Sequence, residues 1–317
     1  MSKVSVIIPA YNSEKYIKRC IASLQRQVHR NIEIIIFDDH SIDGTRLLLD
    51  KATTNDSRIT VIRSKENLGP MYGRMECLVK ASGKYTIFVD SDDTLPHSAI
   101  AALTAAIERT HSDIVTASYN ILEPKGKSRT KTQKLPTVLH STPREVFTSL
   151  CKGEVSHSLW AKIYRTSLLK SHKYTTLKNF TNGEDAILFY EILCNATRIT
   201  SIEDVVYNYH ITPQSSSNRI MSLRVAQNII YSRALCTKIL ESYDIERSLR
   251  TQRLVPMLTE IRKRGIPRKE LYSLLKQYNL DSYISFRNLR TSSSLIQAVK
   301  NTIILRSDFI TKLYRLF

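Results

Sequence analysis

Short apolar runs alternate with segments of helical periodicity over the first 120 residues of this 317-residue chain. The runs are almost wholly apolar, as expected for strands buried on both faces of a parallel sheet. Between them, apolar residues recur every three or four positions, which is typical of amphipathic helices. This alternation predicts an α/β fold with a doubly wound sheet and helices on both faces. The predicted strands are residues 4–8, 32–37, 59–63, 85–89 and 114–117, and the predicted helices are 14–27, 41–49, 71–81 and 96–109, the second of them capped by Ser41 or Asp43.

Polar residues follow each of the first four predicted strands of this sheet. In open α/β sheets the ligand binds outside the carboxyl ends of the strands, so these polar segments are the candidate site. They are residues 9–12, 38–41, 66–69 and 90–93. The concentration of acidic residues there is the main functional clue in the sequence.

The segment Asp90-Ser91-Asp92-Asp93 places three carboxylates within four residues. Such a concentration of negative charge needs compensation by a cation or by hydrogen-bond donors. A hard divalent ion, Mg²⁺ or Mn²⁺, uses one or two carboxylates together with substrate phosphates. The alternative, which spacing alone leaves equally open, is that one Asp caps the next helix and the others face water.

Three further segments contain candidate site residues, and two of them also have a structural interpretation. Asp39 can accept hydrogen bonds from a nucleobase or a ribose, or it can cap the helix that follows. Asn67 belongs to a turn in which Gly69 lets the backbone approach a ligand closely, and Arg74 in the next helix can contact phosphate or base. Glu184 and Asp185 open a helix, where they either complement its dipole or supply a general base.

The pattern is less regular after residue 120. Five basic residues between 125 and 134 predict an exposed loop, residues 143–151 and 186–194 predict helices, and residues 205–210 predict a strand. From about Arg219 the chain is predicted to be helical, with a break near Gly265 and Pro267. We therefore expect two domains, residues 1–218 and 219–317, divided just after a run of three serines at 215–217.

The net charge of +18 is unevenly distributed along the chain. Residues 219–317 contain 19 Lys and Arg against 7 Asp and Glu, whereas residues 1–218 contain 28 against 22. This basic region predicts an anionic partner. The five cysteines show no metal-site or redox spacing, and neither a secretory signal nor an apolar run of about 20 residues is recognised, so we expect a reduced, cytoplasmic chain.

Taken together and in this order, these motifs resemble family 2 glycosyltransferases of the GT-A fold over residues 4 to about 217. The motifs that carry the resemblance are Val4-Ser5-Val6-Ile7-Ile8-Pro9-Ala10-Tyr11-Asn12, Phe37-Asp38-Asp39-His40-Ser41-Ile42-Asp43-Gly44-Thr45, Glu66-Asn67-Leu68-Gly69, Ala81-Ser82-Gly83-Lys84-Tyr85, Phe88-Val89-Asp90-Ser91-Asp92-Asp93 and Gly183-Glu184-Asp185. His40 stands where relatives more often have Gly.

The resemblance implies a role for each matched residue. The nucleotide-sugar, most often a UDP-sugar, would contact Pro9, Tyr11, Asn12, Asn67, Arg74 and Ser91, with Asp39 on the uracil edge and Asp90 on the ribose or sugar. Asp92 would bind Mn²⁺ or Mg²⁺, and His210 would lie near the diphosphate or the metal. Asp185 would be the catalytic base of an inverting transfer, with Glu184 beside it on the acceptor side. Trp160 would stack on an acceptor sugar, although core packing explains it equally well.

The implied acceptor is a glycan or a lipid-linked glycan of the cell surface. The sequence near the end of the chain favours peripheral membrane contact. Its apolar residues fall on one helical stripe, formed by Ile296, Val299, Ile303, Ile310, Tyr314 and Phe317. Cations lie off that stripe at Lys300, Lys312 and Arg315, and others cluster at residues 262–269. A helix packed on the catalytic domain or on a second subunit is the alternative. A nucleic-acid binder is disfavoured, because the acids at the predicted strand ends would repel phosphate unless a metal is bound and no nucleic-acid motif is recognised. An inactive scaffold or glycan-binding subunit, or a nucleotidyltransferase, remains as a rival.

Overall fold

The computed structural model describes residues 1–124, 126–136, 140–212, 221–284 and Leu305. The chain divides into two compact units. The first contains Met1–Val146 and Val155–Pro213, and the second contains Phe147–Glu154 and Gln214–Phe317. The domain boundary predicted at about residue 218 and the C-terminal stripe from Ile296 to Phe317 lie outside the described residues.

An eight-stranded mixed sheet forms the first unit. Its strands are β1 (Val4–Ala10), β2 (Ile32–Asp38), β3 (Ile59–Arg63), β4 (Tyr85–Phe88), β5 (Ile114–Leu122), β6 (Ser128–Lys131), β7 (Lys162–Arg165) and β8 (Ile199–His210). The strand order is β3-β2-β1-β4-β7-β5-β6, and β8 pairs in parallel with β5. Strands β1 to β4 are parallel to one another, whereas β7 is antiparallel to both β4 and β5.

Seven helices of the described chain connect or follow these strands. They are α1 (Ile17–Gln25), α2 (Thr45–Asn55), α3 (Pro70–Lys80), α4 (Ala99–Thr110), α5 (Pro143–Lys152), α6 (Thr166–Lys170) and α7 (Glu184–Asn195). The apolar strand residues pack with the apolar faces of the helices into a core centred on β1, β2 and β4. A slip by one residue would move each strand side chain to the opposite face of the sheet, so the packing of these side chains against the helices favours one register.

Helices α8 (Leu223–Ser242), α9 (Arg247–Lys263) and α10 (Arg268–Gln277) make up most of the second unit, followed by a 3₁₀ turn at Asp281–Ile284. Ser222 caps α8 by accepting a hydrogen bond from the Val225 N–H. These helices share their own apolar core. The predicted break near Gly265 is confirmed, and Gly265 has a φ of 105°, which favours glycine. None of the described helices has the length and apolar character needed to cross a membrane.

Two predicted features of the fold are wrong. The basic segment expected to be a loop contains β6, which pairs antiparallel with residues 119–122 of β5. Helix α2 begins at Thr45 after Gly44, so neither Ser41 nor Asp43 is its N-cap residue. Asp43 still accepts a hydrogen bond from the Thr45 N–H at 3.0 Å, which gives that donor a partner.

Candidate active site

A cavity of about 260 Å³ opens at the carboxyl ends of β1, β2 and β4. The sequence predicted a ligand site at this edge of the parallel sheet, and the cavity lies there. The cavity is lined by Pro9, Ala10, Tyr11, Asp39, Pro70, Arg74, Asp90, Ser91, Asp92 and Glu184. Eight of these ten residues belong to the set predicted from the sequence, so the fold brings most of that set together.

Residues 90–93 form a tight turn, and the side chain of Asp93 ties this turn to β8. This carboxylate is fully buried and accepts hydrogen bonds from the Tyr207 hydroxyl at 2.7 Å and the His210 backbone N–H at 2.8 Å. The same Tyr207 hydroxyl accepts a hydrogen bond from the Asp90 N–H at 3.1 Å. Asp93 thus anchors the turn to β8, which leaves the side chains of Asp90 and Asp92 at the cavity.

Asp92 has an unusual electrostatic environment. Burial, together with the neighbouring charge of Asp90, raises its pKa to about 6. The Arg19 guanidinium donates to the Asp92 backbone carbonyl at 2.5 Å, which holds the turn from the side of α1. A carboxylate of this kind gains from a bound cation, because a cation offsets the cost of keeping it ionised.

Asp39 fixes the turn that precedes α3. Its two carboxylate oxygens accept hydrogen bonds from the Leu68 N–H at 2.7 Å and the Gly69 N–H at 2.8 Å. Gly69 has a φ of 90°, a conformation for which glycine is favoured. Burial raises the pKa of Asp39, and the two backbone donors oppose that rise.

The loop after β1 is held against the loop after β2. Asn12 donates its backbone N–H to the Ser41 hydroxyl at 3.0 Å, and its side-chain oxygen accepts from the Ile42 N–H at 3.0 Å. The hydroxyls of Ser13 and Ser91 lie 2.7 Å apart. Asn12 therefore shapes the wall of the cavity without lining it, whereas Tyr11 is half exposed at the cavity itself.

Glu184 and Asp185 open α7 directly after Gly183, whose φ is 121°. Burial raises the pKa of both carboxyls; Asp185 adds to the rise at Glu184, and Arg74 opposes it at both. Such groups bind protons more tightly than an exposed carboxyl does. A carboxylate of raised pKa is suited to accept a proton near neutral pH.

Arg74 is the cation among these carboxylates and is only 3% exposed. Its Nη2 donates to Asp90 Oδ1 at 2.8 Å, and its Nη1 lies 2.8 Å from Asp185 Oδ1 and 3.8 Å from Glu184 Oε1. The contact with Asp185 is an ion pair without hydrogen-bond geometry. Arg74 thus links the Asp90 turn to the start of α7, and its predicted contact with phosphate or base stays a prediction.

The remaining predicted residues lie away from the cavity lining. Trp160 is 9% exposed, and its ring stacks on Tyr207 and Tyr209 at centroid distances of 4.7 and 5.6 Å. His210 Nε2 lies 3.0 Å from the Thr94 hydroxyl, and burial lowers the pKa of this imidazole. Asn67 is partly exposed in the turn before α3. Packing accounts for Trp160 as it stands, so its contact with an acceptor sugar remains a prediction.

Comparison with known proteins identifies the family. The model of the family described as Glycosyl transferase family 2 matches residues 5–173, more than half of the chain. The chain belongs to glycosyltransferase family 2. The matched range includes Asp39, Arg74, Asp90 and Asp92, and the prediction of the family is confirmed.

Several bacterial glycosyltransferases are similar to this chain. Poly(ribitol-phosphate) beta-N-acetylglucosaminyltransferase TarS of Staphylococcus aureus is 29% identical over 264 residues, which are 81% of this chain and 44% of TarS. The putative glycosyltransferase EpsH of Bacillus subtilis is 29% identical over 212 residues, which are 66% of this chain and 60% of EpsH. The chain thus spans less than half of the length of TarS.

Solved structures show the same fold. The crystal structure of S. aureus TarS 1-349 in complex with UDP-GlcNAc superimposes with a TM-score of 0.73 at 23% identity, covering 99% of this chain and 92% of that one. The mannosyltransferase PcManGT from Pyrobaculum calidifontis, in complex with GDP-Man and Mn²⁺, gives a TM-score of 0.55 at 17% identity, covering 96% of this chain and 88% of that one. The predicted GT-A fold followed by a helical region is confirmed.

The donor set of the family 2 site fits a hard divalent ion only with help from a ligand. Within the described ranges, no three His, Cys, Asp or Glu side chains are arranged to hold a metal ion by themselves. Asp92 supplies a buried carboxylate of raised pKa, and Asp90 is paired with Arg74. Mg²⁺ is commonly bound by one or two protein carboxylates, and phosphate oxygens of the substrate complete its coordination.

Sequence reasoning missed the residues that support the site from β7 and β8. Tyr207 bridges Asp90 and Asp93, and Lys162 and Tyr164 lie fully buried behind α7. The buried lysine had one sequence signal, since it lies between Ala161 and Ile163 in an otherwise apolar segment. Its burial could not be inferred without knowing that β7 lies between β4 and β5.

Proposed function

We propose that this chain is an inverting glycosyltransferase that moves a sugar from a UDP-sugar to a hydroxyl of a glycan or lipid-linked acceptor in cell-surface polysaccharide synthesis. The observation that carries the proposal is the single cavity in which Asp39, Asp90, Asp92 and Glu184 converge, with Asp185 paired to Arg74 at its edge. Family membership gives the class of reaction, and the position of these carboxylates supports the roles that we propose for them.

The nucleotide would occupy the side of the cavity formed by β1 and β2. Pro9 and Tyr11 line that side, and Asp39, held by two backbone donors, faces it as an acceptor for the uracil N–H. UDP-GlcNAc is the first donor to test, because TarS is named as an N-acetylglucosaminyltransferase. For the same reason, a poly(ribitol-phosphate) chain is the first acceptor to test.

Asp185 would act as the general base in a single displacement. The acceptor hydroxyl gives its proton to the Asp185 carboxylate as its oxygen attacks the anomeric carbon of the donor sugar. The bond between that carbon and the diphosphate oxygen breaks in the same step, and the nucleoside diphosphate leaves. Burial of Asp185 raises its proton affinity, and the charge of Arg74 opposes that rise by favouring the ionised form.

Asp92 would hold Mn²⁺ or Mg²⁺ together with the diphosphate oxygens, with His210 as the second predicted contact. A bound divalent ion supplies charge neutralisation of the departing diphosphate. Asp93 and Tyr207 keep the Asp92 backbone in place for this role through their hydrogen bond. The raised pKa of Asp92 supports the proposal, since a cation would stabilise its ionised form.

The decisive test compares the wild type with Asp185→Asn in assays of transfer and of UDP binding. We expect kcat to fall by roughly 10² to 10⁴ and UDP affinity to stay unchanged, because only the proton acceptor is lost. Asp204→Asn, at an exposed position of β8, is the matched control and should behave as the wild type. Near-normal transfer by Asp185→Asn would refute the role of the base. Metal-dependent UDP binding without transfer by the wild type would favour the inactive scaffold.

We also propose that the second unit contacts an anionic membrane surface, as its charge predicts. Arg268 and Lys269 are exposed at the start of α10, which suits this role. Arg262 does not suit it, because the structure buries its guanidinium and directs Nη1 to the Ile266 carbonyl at 2.5 Å. The expectation that Arg262 faces a membrane is therefore wrong.

Liposome binding tests the membrane proposal. The full chain should bind anionic vesicles with salt sensitivity, and a chain truncated before about residue 290 should bind less. Equal binding by both would show that the terminal segment contributes nothing to it. Sedimentation of the unbound protein would show whether a second subunit takes its place.

A further inference from the structure

A buried lysine lies behind the start of α7. Lys162, the first residue of β7, is 1% exposed, and its ammonium lies 4.7 Å from the ring centre of Phe189 on α7. It donates a hydrogen bond to the Ser158 backbone carbonyl at 2.7 Å. Burial of a charged ammonium group costs free energy unless an opposite charge or hydrogen-bond acceptors compensate it. We therefore asked which groups near Lys162 interact with its charge.

The turn that Lys162 holds, residues 158–161, lies directly against Asp185. The Leu159 backbone N–H faces the Asp185 carboxylate and lowers its pKa, against the rise caused by burial. The Leu159 carbonyl accepts from the Tyr164 hydroxyl at 3.0 Å, and Ala161 has a φ of 55°. A non-glycine residue in that conformation costs free energy and persists where the surrounding contacts fix it. Lys162 and Tyr164, two residues apart on one strand, therefore anchor the turn that orients Asp185.

Five charged or titratable side chains surround the Asp185 carboxylate. Arg74 faces it from α3 and Asp90 from the turn after β4, while Glu184 precedes it on α7. Lys162 and Tyr164 face it from β7. Burial lowers the pKa of Lys162 to about 7, and Asp185 opposes that change, while Lys162 in turn lowers the pKa of Asp185.

We propose that Lys162 is a positioning residue for the catalytic base, which it orients through the turn 158–161 and keeps ionised through its buried charge. The inference rests on the proposed role of Asp185. Lys162 does not line the cavity, so it acts on the base without touching the donor. A purely structural lysine would stabilise the fold and leave the ionisation of the base unchanged.

The test measures kcat and the donor KM against pH for Lys162→Met, which keeps the length of the side chain and removes its charge. We expect kcat at pH 6.5 to fall by about tenfold through misplacement of the base. The acidic limb of the kcat profile should move up by about one pH unit, so that activity is recovered in part at pH 8.5. The donor KM should change less than about twofold, since the nucleotide contacts are untouched.

Two further variants separate the roles. Tyr164→Phe removes only the hydroxyl that holds the Leu159 carbonyl, so it should lower kcat about threefold without moving the acidic limb. Thr86→Val removes a buried hydrogen bond to Thr166 in the same part of the sheet and should alter stability alone. If Lys162→Met fails to fold, an unchanged kcat in Tyr164→Phe still contradicts the role of the turn.

The outcome that overturns the inference is a Lys162→Met enzyme with normal kcat and an unshifted pH profile. Asp185→Asn, assayed in parallel, distinguishes the two proposals. Loss of transfer in Asp185→Asn with normal activity in Lys162→Met would reject only the positioning role. Full activity in Asp185→Asn would reject the base itself and the inference with it.

Discussion

Replacement of Arg74 by Met should destabilise the first unit strongly and in a pH-dependent manner. The guanidinium is 3% exposed and lies within 2.8 Å of both Asp90 and Asp185 and 3.8 Å from Glu184. Methionine has a similar length but no charge, so three carboxylates would share a partly buried site without their cation. Breaking a buried ion pair by removing one partner typically costs about 3–5 kcal/mol. With a urea m value of about 2 kcal/mol per M, the midpoint should fall by roughly 1.5–2.5 M.

The pH dependence follows from the raised pKa values of the partners. Burial raises the pKa of Glu184 from 4.5 to about 7, so the folded chain binds this proton more tightly than the unfolded chain does. Stability from this group is therefore lost as the pH rises from about 4.5 to about 7. Without Arg74 the carboxyl pKa values rise further, so the loss of stability should be larger at pH 8 than at pH 5.5.

Trp160 provides the assay for this prediction. It is the only tryptophan of the chain and lies in the core of the first unit, so its fluorescence reports the unfolding of that unit. Arg63→Met, which breaks the exposed pair with Asp50, is the matched control and should cost less than about 1 kcal/mol. An Arg74→Met chain within 1 kcal/mol of the wild type at pH 8, or one that is less stable at pH 5.5 than at pH 8, would refute the reasoning.

Three more changes have defined outcomes. Asp92→Ala should weaken UDP binding in Mn²⁺ but not in EDTA, and calorimetry that shows no dependence on either the change or the chelator would contradict the metal role. Tyr207→Phe should cost about 1–3 kcal/mol in urea unfolding, because it leaves the buried Asp93 carboxylate with one donor fewer. Gly73→Ala should cost about 1–3 kcal/mol, since a Cβ there would lie 2.6 Å from Cδ1 of Phe37; a wild-type urea midpoint would show that the ring moves freely.

The parallel half of the sheet could be predicted because each of its strands is an apolar run bounded by polar residues. Strand β6 could not, since its four residues are polar and exposed and it pairs only as an edge strand. Strand β7 was missed for the opposite reason. A lysine such as Lys162 usually indicates an exposed position, but β7 lies between β4 and β5 and this side chain is buried.

Asp39, Asp90 and Asp92 could be predicted because each follows a strand whose end is set by local sequence, and Glu184 and Asp185 because they open a helix. Their relationships to one another could not, since they depend on contacts between distant segments. Asp90 is 16 residues from Arg74, and the hydroxyl that bonds Asp93 belongs to a residue 114 positions away. The sequence pattern indicates which carboxylates lie at the edge of the sheet. Their partners, Arg74 on α3 and Tyr207 on β8, can be identified only from the three-dimensional structure.

The turn at residues 158–161 links the two chemical halves of the site. On one side, the Leu159 N–H contacts Asp185. On the other, the Trp160 ring stacks within 10° of coplanarity on Tyr207, whose hydroxyl accepts the Asp90 N–H. The Asp90 turn and Asp185 are thus both contacted by one backbone segment, in addition to the charge bridge made by Arg74. The proposed displacement needs the attacking hydroxyl, the anomeric carbon and the diphosphate in line, and a segment that contacts both sides of the cavity would help to keep Asp185 at a set distance from the Asp90 turn.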